Sequence, residues 1–126
     1  MITMKKLVPI LFALLCISAI SCRHSNHDLQ ITYNDSDHEY SMVADFNNRK
    51  MREVEYYLNR ELGSSNNISF SNTHTNATFT LDDQTTFYLR KHAGHIKIKL
   101  DKDENSRAAY RKMKSVCEGM KVVLTR

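Results

Sequence analysis

The sequence predicts an α+β domain: two helices packed on one face of a four- or five-stranded, mainly antiparallel sheet, in the order strand, helix, strands, helix, strand. Two observations carry the prediction. The stretch ATFTLDDQTTFYLRKHAGHIKIKL, residues 77–100, alternates apolar and polar side chains around two short loops, the period of half-buried hairpin strands. Residues 51–62 and 109–120 instead repeat apolar side chains every three or four positions, the period of a helix with one buried stripe.

The elements follow in order. RHSNHDLQITYNDSD, residues 23–37, is polar apart from one short apolar patch; it reads as a tether ending in a short strand over residues 29–33. In EYSMVADF, Tyr40, Met42, Ala44 and Phe46 fall on one side of a strand. Asn47 or Asn48 can cap the following helix by accepting from free backbone N–H groups. Met51, Val54, Leu58 and Leu62, with Tyr57 alongside, form its buried stripe, and Gly63 is expected to stop it in a left-handed conformation. SSNN reads as a turn, ISF as a short strand with Ile68 and Phe70 facing one way, and SNTHTN as a polar loop.

The hairpins are the most constrained part. A two-residue turn at Ala93-Gly94 sets Leu89 opposite Ile98 and Phe87 opposite Leu100, both apolar pairs. A slip of one residue would scramble this sorting. A three-residue loop at Asp82-Asp83-Gln84 sets Phe79 opposite Phe87, so Ala77, Phe79 and Leu81 share the core face. Asp103 or Ser106 caps the second helix, whose stripe is Ala109, Met113, Val116, Cys117 and Met120. Gly119 is expected to end it, and KVVLT to form a last strand.

The amino terminus has a separate organisation. Lys5 and Lys6 precede a charge-free run from Leu7 to Ile20, shorter than the roughly 20 apolar residues that span a bilayer. A positive start, a short apolar middle and small residues at the end describe a secretory signal over residues 1–21. AISC, Ala19 to Cys22, resembles the lipobox of bacterial lipoprotein precursors. Ser21 fits the small residue beside the cut; at the competing Cys16, the preceding Leu15 is too bulky. The resemblance implies cleavage before Cys22, diacylglyceryl modification of its thiol, and a lipidated amino terminus and tether over residues 22–38. Arg23 after the cysteine implies an outer-membrane lipoprotein facing the periplasm, with the inner membrane or cell surface as alternatives. Acyl chains contribute about 0.8 kcal/mol per buried CH₂, so several of them hold a protein on a membrane.

Residues 39–126 then form a single domain. With Cys22 acylated and Cys16 removed, Cys117 is left alone and no intrachain disulfide can form. Charge divides along the chain: residues 22–83 hold five Lys and Arg against ten Asp and Glu, a net of −5, and residues 84–126 hold eleven against four, a net of +7. Tyr88, Arg90, Lys97, Lys99, His92 and His95 share the outer face of the hairpin sheet in the expected register. An aromatic within such a basic patch suits phosphate, anionic headgroups or glycans, or an acidic protein. A periplasmic address argues against nucleic acid, and a solvated face is the plainer alternative.

Other clusters are weaker. His92 and His95 flank the turn, but zinc takes three or four such ligands, and His74 would reach them only if its loop folded over; an exposed pair is the simpler reading, with no metal or cofactor assigned. Asp101, Asp103 and Glu104 lack the glycine alternation of a calcium loop and suit the helix start. Cys117 lies in an apolar stripe, where a thiol behaves as a small hydrophobe. No phosphate-binding glycine loop, nucleophile elbow or serine with a base is visible. The chain therefore reads as a non-enzymatic, lipid-anchored binding or adaptor module of the cell envelope. The alternatives are a periplasmic inhibitor or immunity lipoprotein neutralising a toxin or enzyme and, last, a metal-dependent enzyme.

Overall fold

The computed structural model describes residues 29–72 and 74–126. The signal segment, Cys16 and Cys22 lie outside the described residues. Five strands, β1 (Gln30–Asp35), β2 (Glu39–Asp45), β3 (Thr75–Thr80), β4 (Thr86–His92) and β5 (His95–Asp101), form one antiparallel sheet in the order β1-β2-β5-β4-β3. Helices α1 (Met51–Leu58) and α2 (Arg107–Thr125) complete an α+β fold. Among the described residues, no helix is long and apolar enough to cross a membrane.

The meander β3-β4-β5 has the expected register: Leu89 faces Ile98, Phe79 faces Phe87 and His92 faces His95. Gly94 makes the tight turn at φ +73°, and a Cβ there would also sit 2.8 Å from the Phe46 carbonyl. In the other loop the left-handed residue is Gln84, at φ 71°, closing a three-residue hairpin of the type that favours one αL position. β5 then joins the meander to β2, with Met42 opposite Ile98 and Ala44 opposite Ile96. Tyr40, Met42, Ala44, Leu89, Ile96, Ile98 and Leu100 are buried against the helices.

Several expectations are corrected. KVVLT is not a strand; it is the last part of α2, where Met120, Val123 and Leu124 continue the buried stripe. The short strand expected over residues 29–33 is present as β1, which runs on to Asp35 and pairs with β2, so the fifth strand of the sheet precedes β2 and does not follow the second helix. Residues 68–70 pair with no strand among the described residues; Phe70 is buried, and its N–H donates to the Asn59 side chain at 2.6 Å. Gly63 is not left-handed: its φ is −87°, the chain passes through a π turn and a 3₁₀ turn, and Asn67 takes the left-handed position at φ 56°. Gly119 lies inside α2, where the helix meets Tyr57.

The caps are Asn47, which accepts from the N–H of Arg49, and Ser106, which accepts from that of Ala109. Asp103 bonds His38 instead, at 3.0 Å. Cys117 is fully buried, and burial pushes its thiol up to about 12. The Tyr40 hydroxyl is buried near it without a hydrogen-bond partner among the described residues, and burial raises its pKa well above the ordinary phenol value.

Two aspartates latch the surface. Asp35 on β1 accepts from Lys102 and from the Tyr110 hydroxyl, both at 2.6 Å, and these bonds lower its pKa, Lys102 most. Asp83 in the β3–β4 loop accepts from Lys112 of α2 at 2.9 Å, and also from the Thr85 N–H; the Lys112 bond is the largest cause holding its carboxyl at about 2. A carboxyl whose folded pKa is depressed stabilises the fold above its unfolded pKa of about 4, and loses that contribution as pH falls through the folded value. Stability should therefore decline between about pH 4 and pH 2. In Asp83→Asn the decline should be shallower, and the wild-type and variant curves should converge near pH 2. Thermal unfolding across this range measures it; parallel curves would show that Asp83 contributes nothing. Asp83 is half exposed, so solvent screening keeps its share small.

Candidate functional site

Both helices cover the same side of the sheet. Side-chain alternation then sends every second residue of β4 and β5 to the opposite side, and no described element covers that side. Tyr88, Arg90 and His92 stand there from β4, facing Lys99, Lys97 and His95 of β5 in that order. All six predicted residues are thus brought together. Arg90 and Lys99 are exposed, and the other four are partly so.

Three cross-strand rows make up the face. In the first, the Tyr88 hydroxyl donates to Asn76 Oδ1 at 2.8 Å, and Lys99 pairs with Glu39 at 3.3 Å. In the last, the His92 and His95 rings stack with centroids 4.7 Å apart, and His95 Nδ1 donates to Asp45 at 2.7 Å. The middle row differs: Arg90 stands directly opposite Lys97, with Val43 as the β2 neighbour of Lys97. Neither cation has a carboxylate partner among the described residues. Like charges directly opposite each other destabilise a sheet by some tenths of a kcal/mol. An anion lying over the row would remove that repulsion and gain two charge-assisted bonds.

At one end of the face, Thr78, Thr86, Tyr88, Lys97 and Lys99 line a shallow concavity of about 340 Å³, with Asp101 and Glu104 at its rim. It offers an aromatic ring, hydroxyls and two ammonium groups to a small polar ligand. His74 is exposed in a bend before β3, and among the described residues no three His, Cys, Asp or Glu side chains converge in a way that could hold a metal ion. Asp101 accepts from the backbone N–H of Asp103 at 2.8 Å in the turn before α2, a local turn bond.

Sequence reasoning missed the carboxylates of the face and one buried cation. Glu39 and Asp45 come from β2, whose pairing with β5 spans most of the domain and leaves no local signal. Lys91 was legible: the register that sets Leu89 against Ile98 also sets Lys91 against Ile96, on the core side. It is 1% exposed, bonds Glu55 of α1 at 2.7 Å, and donates to the carbonyl of Asn72. Compared with protein-family models, with curated proteins and with solved structures, the chain matches none.

Proposed function

We propose that this chain is a small cell-envelope protein, anchored through lipid at Cys22 and facing the periplasm from the outer membrane, that works without catalysis by binding an anionic envelope component or an acidic protein on its outer sheet face. The observation that carries the reading is the middle row, where Arg90 and Lys97 stand opposed on a face that, among the described residues, no element covers and no carboxylate neutralises. The flanking ring of Tyr88 and the ammonium of Lys99 extend the same chemistry. The anchor rests on the lipobox-like AISC.

Arg90→Glu, Lys97→Glu and Lys99→Glu together should leave the fold within about 1 kcal/mol, since surface substitutions rarely do more. They should lower retention on anionic vesicles, or recovery of an acidic envelope protein, by about tenfold or more, because each former attraction becomes a repulsion. Loss on vesicles alone identifies a headgroup, and loss of one protein alone identifies that partner. Unchanged binding in both would remove this face from consideration. Mass spectrometry of the mature amino terminus tests the address: an acylated Cys22 is expected, and an uncut leader with a free thiol would overturn it.

A further inference from the structure

We propose that the free edge of β3 pairs with the same edge of a second copy of this chain, antiparallel and about a two-fold axis, joining two five-stranded sheets into one. This goes beyond anion binding and does not depend on it.

Among the described residues β3 is an outermost strand, bonded only to β4. The Leu81 N–H donates to the Thr85 carbonyl at 2.8 Å, and antiparallel bonding alternates along the ladder. Phe79, Ala77 and Thr75 therefore turn their N–H and C=O groups toward β4, and Asn76, Thr78 and Thr80 turn theirs outward. The far side of β4 obeys the same alternation: the N–H and C=O of Thr86 point away from β3 and bond the Asn105 side chain, each at 2.9 Å.

Natural sheets blunt an open edge with charge, proline or a bulge. This edge has none of the three. Residues 62–81 contain no Asp, Glu, Lys, Arg or Pro, in a chain that is 25% charged, and the β3–β4 ladder runs unbroken from Thr75–Lys91 to Thr80–Thr86. The β1 edge, by contrast, carries Asp35.

Geometry sets the register of the pair. Only residues with outward groups can bond each other, and the register that uses all three on each strand sets Thr78 opposite Thr78 of the partner subunit and Asn76 opposite Thr80 of the partner subunit. On the core side this brings small Ala77 beside bulky Phe79 of the partner subunit. A second copy suits the edge because neither strand brings a charge to the seam. Arg90 and Arg90 of the partner subunit are three strand spacings apart, about 14 Å, and staggered by four residues along the strands, about 13 Å more in that direction, well beyond the Debye length of about 8 Å at physiological salt. The axis stands perpendicular to the sheet, so the two basic faces lie on one side, and the closed two-fold contact leaves no β3 edge open.

Sedimentation of the full-length chain in detergent tests the pairing. The wild type is expected to sediment as a dimer, and Thr78→Lys, which sets a charge at the centre of each edge, should halve the protein mass with an unchanged circular dichroism spectrum. A wild type monomeric across the micromolar range would overturn the proposal, as would a Thr78→Lys variant that stays dimeric. Cross-linking gives a second measurement that does not need the lysine variant to fold. Opposed Cα atoms in a bonded pair lie about 5.5 Å apart, within disulfide reach of about 4.4–6.8 Å. Thr78→Cys should form a disulfide-linked dimer under mild oxidation, and Thr32→Cys on β1 should not. Absence of the Thr78→Cys dimer, or equal cross-linking of both variants, would overturn the pairing.

Discussion

Replacing Gly119 by alanine is expected to destabilise the domain by about 2–4 kcal/mol. The sign is the informative part, because alanine ordinarily stabilises a helix interior by about 1 kcal/mol over glycine. Here the new Cβ would fall 2.0 Å from the Tyr57 hydroxyl oxygen and 3.0 Å from the ring carbon that bears it. Tyr57 cannot swing aside freely. It is buried, and its hydroxyl donates to the Val116 carbonyl at 2.7 Å, so moving the ring breaks a buried bond. The alternative is to push α2 away from α1 and open the core between them. Urea unfolding measures the effect. Tyr57→Phe removes the atom in closest contact, so the cost of Gly119→Ala should shrink in that background. A neutral or stabilising Gly119→Ala would mean the two helices do not meet at this contact.

The second large effect is expected at the buried ion pair, and it is asymmetric. Glu55→Ala should cost about 3 kcal/mol or more, because it strands an ammonium inside the core. The Lys91 side chain is wholly buried, and that of Glu55 is 18% exposed. Lys91→Met should therefore cost clearly less: methionine fills the volume of the lysine stem on the core side, opposite Ile96, and the orphaned Glu55 carboxylate can turn to water. Adding Lys91→Met to Glu55→Ala should recover most of the loss. The four proteins form a double-mutant cycle read by chemical denaturation. A Lys91→Met variant less stable than Glu55→Ala would show that the ammonium anchors the structure through the Asn72 carbonyl more than through the carboxylate.

The parts legible in the sequence are those whose partners lie near in the chain. The two hairpins are short, so apolar sorting alone aligned Leu89 with Ile98 and Phe79 with Phe87, and the six residues of the outer face followed from parity. The errors came from reading glycine as an intrinsic signal. Gly119 and Gly63 were taken as stops, yet each is small because something stands where a Cβ would go: the Tyr57 hydroxyl in one case and, 2.5 Å from the Cβ position, the Ile68 carbonyl in the other. With Gly119 as a stop, KVVLT had to be a strand, although Val116, Met120 and Val123 already kept helical spacing. ISF failed for another reason. Its apolar side chains insert beneath the sheet, Phe70 packing on Phe79 with ring centroids 5.1 Å apart, and burial without a neighbouring edge does not make a strand. Glu39 and Asp45 on the site required the β2–β5 pairing, which no short window contains.

Along β4 and β5, alternate residues belong to separate trades. Phe87, Leu89, Ile96, Ile98 and Leu100 hold the molecule together, and the side chains interleaved with them meet the outside. Single codon changes at the second set leave the first untouched, so a lineage can rewrite this surface without passing through unfolded ancestors.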